Sequence, residues 1–137
     1  MDGLSEFKNF YRDKSIEELQ METTQWKSNL EFQSIELAFL KNLLQANIYR
    51  SHNPNLFEIL ELFKQEIDDI HSEGVRILES VDCHIAHLEK EKQHKNSDGY
   101  QFYIETHKKL DYDITVFNEE IDVLKLRLFE FIEGTVI

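Results

Sequence analysis

Apolar residues recur at alternating spacings of four and three along the last third of the chain. The positions are Tyr103, His107, Leu110, Ile114, Phe117, Ile121, Leu124, Leu128 and Phe131. This spacing holds the side chains on one face of a helix and is the heptad pattern of left-handed coiled-coil packing. It predicts a long helix over about residues 100–133.

A matching pattern precedes it and predicts a second long helix over about residues 55–95. Its positions are Leu56, Leu60, Phe63, Ile67, Ile70, Gly74, Ile77, Val81 and Leu88. Gly74 interrupts this apolar line, and we expect its missing side chain to make room for large neighbours from the other helices.

Two clusters of turn-forming residues separate the helical segments, namely residues 51–54 (Ser-His-Asn-Pro) and residues 96–99 (Asn-Ser-Asp-Gly). They leave a first helix over about residues 15–50. Short turns between long helices make neighbours antiparallel. The sequence therefore predicts an all-α fold, an up-down-up antiparallel three-helix bundle with coiled-coil-like heptad packing.

The first helix differs from the others because its apolar residues fall on two roughly opposite faces at 100° per residue. The inner face consists of Leu19, Trp26, Leu30, Leu37, Leu40, Leu44 and Ile48. The outer face consists of Phe32, Ile35, Phe39, Leu43 and Ala46. A helix in a three-helix bundle needs one apolar stripe, so the outer face requires another cover.

Two covers are available for this outer face. The first is the N-terminal segment, where Leu4, Phe7, Phe10 and Tyr11 recur at helical spacing and could form a short extra helix. The second is another copy of the chain. We favour the second, because the N-terminal segment is short and would have to extend far along the helix. The hypothesis is a homo-oligomer joined through the outer face. Four apolar residues of the third helix could join this contact or pack on Leu62 and Ile59; they are Val123, Leu126, Phe129 and Ile132.

Length and composition support a single helical domain over residues 1–137. The chain is 41% hydrophobic, which supplies one core, and it contains only four Gly and one Pro, too few for the turns of a sandwich or barrel. The formal net charge of −12 would repel phosphate backbones and anionic lipids. We therefore expect no nucleic-acid partner and no membrane partner; the expected partner is the chain itself or another helical protein.

The lone Cys83 has no second cysteine for an internal disulfide. Near the N-terminus, Asp2 and Glu6 stand where a signal peptide would carry positive charge. No segment reaches the roughly 18 uninterrupted apolar residues of a membrane-spanning helix. These features favour a cytoplasmic location.

A local concentration of histidine and carboxylate side chains is the one candidate metal site. Its residues are His84, His87 and Glu91 near the end of the second helix, with His107 on the third. Antiparallel pairing places His107 near the level of His87, and Glu18 and Glu22 of the first helix lie at a similar height. Two imidazoles with carboxylates suit zinc or non-haem iron. The alternative is that these histidines are hydrogen-bonded structural residues at the edge of the core.

Enzymatic activity has little support in the sequence. Cys83 and His84 are adjacent on a helix and point about 100° apart, so they do not form a thiolate–base pair. There is no glycine-rich phosphate loop and no Gly-x-Ser-x-Gly motif. We therefore expect a non-enzymatic interaction or scaffold domain without a cofactor, with a small metal-binding bundle as the alternative.

Overall fold

The computed structural model describes residues 14–46, 55–94 and 100–135. They form three helices: α1 (Ile16–Leu44), α2 (Leu56–His94) and α3 (Tyr100–Thr135). These ranges contain no strand, which confirms the predicted all-α fold. The possible extra N-terminal helix lies outside the described residues. None of the three helices is long and apolar enough to cross a membrane.

Side-chain pairs between α1 and α2 show that these helices are antiparallel. Near the start of α1, Gln20 Nε2 donates to Glu89 Oε2 at 3.1 Å, close to the end of α2. Near the end of α1, Lys41 Nζ lies 2.7 Å from Asp68 Oδ1 in the first half of α2. Residue numbers thus rise along one helix as they fall along the other.

The position of α3 follows from pairs with both other helices. Arg127 makes a bidentate contact with Glu66 of α2, at 2.7 and 3.1 Å, which makes α3 antiparallel to α2. Lys125 Nζ contacts Glu36 Oε1 of α1 at 3.0 Å. A second α1–α3 pair, Gln33 with Asn118 at 2.7 Å, lies seven residues earlier on α3 and three earlier on α1. The helices therefore run up, down and up, as predicted.

The core lies along the predicted apolar lines. On α3 the buried residues are Ile104, His107, Leu110, Ile114, Phe117, Ile121, Leu124 and Leu128. On α2, Phe63, Ile67, Val81 and Leu88 are buried, and on α1 the buried apolar residues are Leu19, Leu30, Leu37, Leu40 and Leu44. Each helix therefore turns its regular apolar stripe inward, because burial of that stripe removes apolar surface from water.

Gly74 lies where the ring of Phe117 packs against α2. A Cβ atom built on Gly74 would lie 3.0 Å from Phe117 Cζ, closer than ordinary van der Waals contact. Phe117 itself is only 1% exposed, so its ring is enclosed on all sides. The glycine thus makes space for a large neighbour, as the sequence suggested, and the packing of that ring offsets the low helix propensity of glycine.

Candidate interaction surface

The outer face of α1 carries three large apolar side chains in direct contact with solvent. Phe32 is 64% exposed, Ile35 is 68% exposed and Phe39 is 62% exposed. They lie at spacings of three and four residues on one side of a continuous helix. The structure therefore leaves this part of the predicted outer face uncovered by the described residues.

The far end of the predicted face is different. Helix α1 ends at Leu44, with Gln45 as its C-cap, whereas the sequence suggested a helix to about residue 50. Leu43 is half-buried, and Ala46 is half-buried beyond the cap, where it does not share the helical face. The backbone N–H of Gln45 donates to the carbonyl of Asn42 at 3.1 Å and that of Ala46 donates to the carbonyl of Leu43 at 3.2 Å, which closes the helix before the predicted boundary. Ile48 of the predicted inner face lies outside the described residues.

The exposed face extends along most of α1 as a line with heptad spacing. Its positions are Met21, Gln25, Ser28, Phe32, Ile35, Phe39 and Asn42, and each of them is exposed. None of the seven is charged, although 31% of the whole chain is Asp, Glu, Lys or Arg. Depletion of charge at the centre with polar residues at the ends is typical of surfaces that bind other proteins. We call this seven-residue line the α1 face.

Among the exposed apolar residues on α3, Phe129 lies on the side that meets α1. Leu126 is 59% exposed and Phe129 is 51% exposed. Phe129 follows Lys125 by one helical turn and therefore lies on the side of α3 that meets Glu36 of α1. Val123, at 59% exposed, is also uncovered. Ile132, the fourth α3 residue named from the sequence, packs against the core.

Away from the α1 face, a network of polar side chains links the three helices. His84 on α2 and His107 on α3 are 1% and 0% exposed, and their Nε2 and Nδ1 atoms lie 3.1 Å apart. His107 Nε2 lies 3.3 Å from Glu22 Oε2 on α1, and the ring of Trp26 stacks on His107 at 4.4 Å between centroids. Glu22 also pairs with Lys14. The hydrogen bonds and ion pairs of this network fix the relative positions of the three helices.

Burial keeps both imidazoles neutral near physiological pH. Because its charged form would be desolvated, with further repulsion from His107 and His87, the pKa of His84 falls from 6.5 to about 4. Burial also lowers the pKa of His107, although the carboxylate of Glu22 acts in the opposite direction. With a carboxylate accepting at Nε2, His107 carries its proton there and accepts from His84 at Nδ1. His84 Nδ1 is then a buried acceptor with no hydrogen-bond partner among the described residues.

The candidate metal ligands are only partly brought together. His107 meets His84 and not His87, which was the histidine expected at its level; His87 is half-buried, with its ring 6.0 Å from Tyr103. Glu91, the carboxylate among the predicted ligands, is buried, with 6% of its surface exposed. Within residues 14–46, 55–94 and 100–135, no group of three or more His, Cys, Asp or Glu side chains is arranged to hold a metal ion. The direct contact between the two rings agrees with hydrogen-bonded structural histidines, although both rings are fully buried and do not lie at the edge of the core as that interpretation expected.

Comparison of the chain with protein-family models, with curated proteins and with solved structures gives no match.

Proposed function

We propose that this protein is a non-enzymatic helical interaction domain that self-associates through the α1 face. The observation that carries the proposal is the exposure of Phe32, Ile35 and Phe39, at 62–68% each, on two consecutive turns of a continuous helix. Side chains of this size rarely stand together in water on a monomeric protein, and such patches mark sites of contact.

The patch supplies a large part of the area that a dimer needs. An aromatic side chain buries roughly 150–250 Å². At the observed exposures, the three side chains offer on the order of 400 Å² per copy, and two copies offer about twice that. A standard interface buries about 1,200–2,000 Å² in total. The remainder can come from other exposed residues on and beside the α1 face, among them Phe129 at 51% exposed.

A second copy fits this face better than a charged partner would. The α1 face is uncharged along its whole length, so pairing with an equivalent face leaves no charge without a partner in the contact. Its heptad spacing is also the spacing at which two helices interlock side chains over several turns. Both properties are satisfied when the face meets its own copy.

Sedimentation equilibrium over a wide concentration range tests the proposal. We expect the chain to sediment above its monomer mass of 16.4 kDa, and Ile35→Glu to restore the monomer. The matched control is Leu62→Glu on α2. Leu62 is 66% exposed, close to the 68% of Ile35, and lies one turn before Glu66, which pairs with α3. Leu62→Glu is expected to leave the assembly unchanged.

Three outcomes would overturn the proposal. The first is a wild-type chain that remains monomeric at all concentrations, including high micromolar ones. The second is an assembly that Ile35→Glu leaves intact, and the third is an assembly that both variants dissociate equally. Far-ultraviolet circular dichroism confirms that each variant keeps its helices, which excludes simple unfolding as the cause of dissociation.

A further inference from the structure

We infer that two copies of the chain pair their α1 helices in antiparallel orientation, with the two-fold axis level with the peptide between Gln33 and Ser34. This inference rests on the proposed self-association and adds the direction and register of the partner helix. Three properties of the described residues support it: the sizes of the side chains on the α1 face, the amides at its ends and the charges beside it.

The sizes of the exposed side chains favour the antiparallel arrangement. In a parallel pair each residue meets its own equivalent, so layers of two Phe39 or two Phe32 side chains would alternate with a narrow layer of two Ser28 side chains. In the antiparallel register, Phe32 meets Ile35 and Phe39 meets Ser28. Every layer then combines a large residue with a smaller one, which allows even packing along the contact.

The ends of the face also match in this register. Gln25 and Asn42 lie at equal distances before and after the axis, 8.5 residues each, so the two amide side chains oppose each other at both ends of the contact. Each amide has donors and an acceptor and can bond the other. These polar pairs would close the apolar centre on both sides and oppose a shift of register.

The charges beside the face also favour the antiparallel arrangement. Glu31 is exposed on one flank of the face, and Glu36 lies on the other flank, where it contacts Lys125. In a parallel pair, a residue on one flank lies beside the residue five positions later in the other copy. Glu31 of each copy would therefore lie beside Glu36 of the other. Like charges at such positions destabilise a helix pair. The antiparallel pair instead places Glu31 beside Ala38, an exposed small residue without charge.

A charge-swap cycle on the full-length chain tests the orientation, with the dissociation constant from sedimentation as the readout. Ala38→Glu places a carboxylate beside Glu31 of the second copy, twice per dimer, and is expected to weaken association about tenfold or more. Adding Glu31→Lys to that variant is expected to restore association to within about threefold of wild type. Glu31→Lys alone is expected to change it little, because Ala38 is uncharged.

The parallel arrangement gives a different pattern. There, Glu31→Lys alone would tighten association by forming attractive contacts with Glu36, and it would not rescue Ala38→Glu in particular. Either result overturns the inference while leaving self-association intact. A chain that does not associate at all overturns the proposed function instead, so the two failures are distinguishable.

Spin-label distances provide a second measurement that needs no change in the contact. The exposed Cys83 is first replaced by Ser, and a label is attached through Thr24→Cys, an exposed position beside the face. In the antiparallel register the two labelled positions are separated along the helix by about 28 Å, from ~1.5 Å per residue. A parallel dimer would bring them within about 15 Å of each other. A short distance overturns the inference, and a long one supports it.

Discussion

The buried imidazole of His84 makes the stability of this protein depend on pH between about 4 and 6.5. In the unfolded chain a histidine has a pKa of about 6.5, whereas burial lowers the pKa of His84 to about 4 in the folded protein. Above pH 6.5 both states are neutral and the group contributes nothing to the pH dependence. As the pH falls below 6.5, only the unfolded state gains a proton, so the free energy of unfolding decreases.

The size of this effect follows from the two pKa values. The full difference corresponds to at most about 3 kcal/mol, and about 2 kcal/mol of it is lost between pH 7 and pH 5. His107 adds to the loss, because its pKa is also lowered. Glu73 and Asp111 act in the opposite direction, since burial raises their pKa values and folding then favours their protonated forms.

Replacement of His84 by Gln isolates this contribution, because Gln has no titratable group and its amide can still donate to His107. Urea unfolding at pH 7 and pH 5, at equal protein concentration, is followed by the fluorescence of Trp26, which stacks on His107. We expect the wild type to lose about 2 kcal/mol more stability between these pH values than His84→Gln does. The other titrating groups are common to both proteins and cancel in this comparison.

The control is Thr23→Val, which changes a buried side chain that does not titrate; Thr23 is 1% exposed and its hydroxyl donates to the carbonyl of Gln20 at 2.9 Å. It is expected to keep the pH dependence of the wild type. If His84→Gln loses as much stability as the wild type between pH 7 and pH 5, His84 is not held neutral by burial and the reasoning is wrong.

Three further predictions follow from local packing and bonding. Gly74→Leu is expected to lower the free energy of unfolding by about 1–3 kcal/mol or more, because its side chain would overlap the enclosed ring of Phe117; a stability equal to that of the wild type in urea titration would contradict the packing described here. Ser15→Ala removes the N-cap of α1, whose side chain accepts a backbone N–H of the first turn at 3.2 Å; it should cost about 1 kcal/mol, whereas Ser15→Asp should retain most of that stability in the same titration. Added zinc at micromolar concentration is expected to leave the melting temperature unchanged, because His84 and His107 bond each other; an increase that His107→Ala abolishes would show instead that these residues bind metal.

The apolar spacing alone was sufficient to predict the three helices and the residues that each turns inward. Phe117, Ile121 and Leu124 are within 2% of complete burial because a repeat of three and four can face a neighbour in only one way along a helix. The same periodicity placed Phe32, Ile35 and Phe39 on the side of α1 away from the core, and their exposure agrees with it. Periodicity is a property of each helical segment of the sequence, so it can be recognised before the fold is known.

Contacts between helices were decided by the tertiary structure. The sequence placed His107 near the level of His87, but α2 and α3 meet about one turn away from that alignment, so His84 contacts His107 and His87 lies beside Tyr103, one turn earlier on α3. The end of α1 at Leu44 was also missed, because apolar residues continue beyond it and only the capping bonds of Gln45 mark the boundary. Spacing determines which residues share a face. How neighbouring helices align along their lengths, and where the last turn of each closes, depends on the packing of large side chains against neighbours that are distant in the sequence.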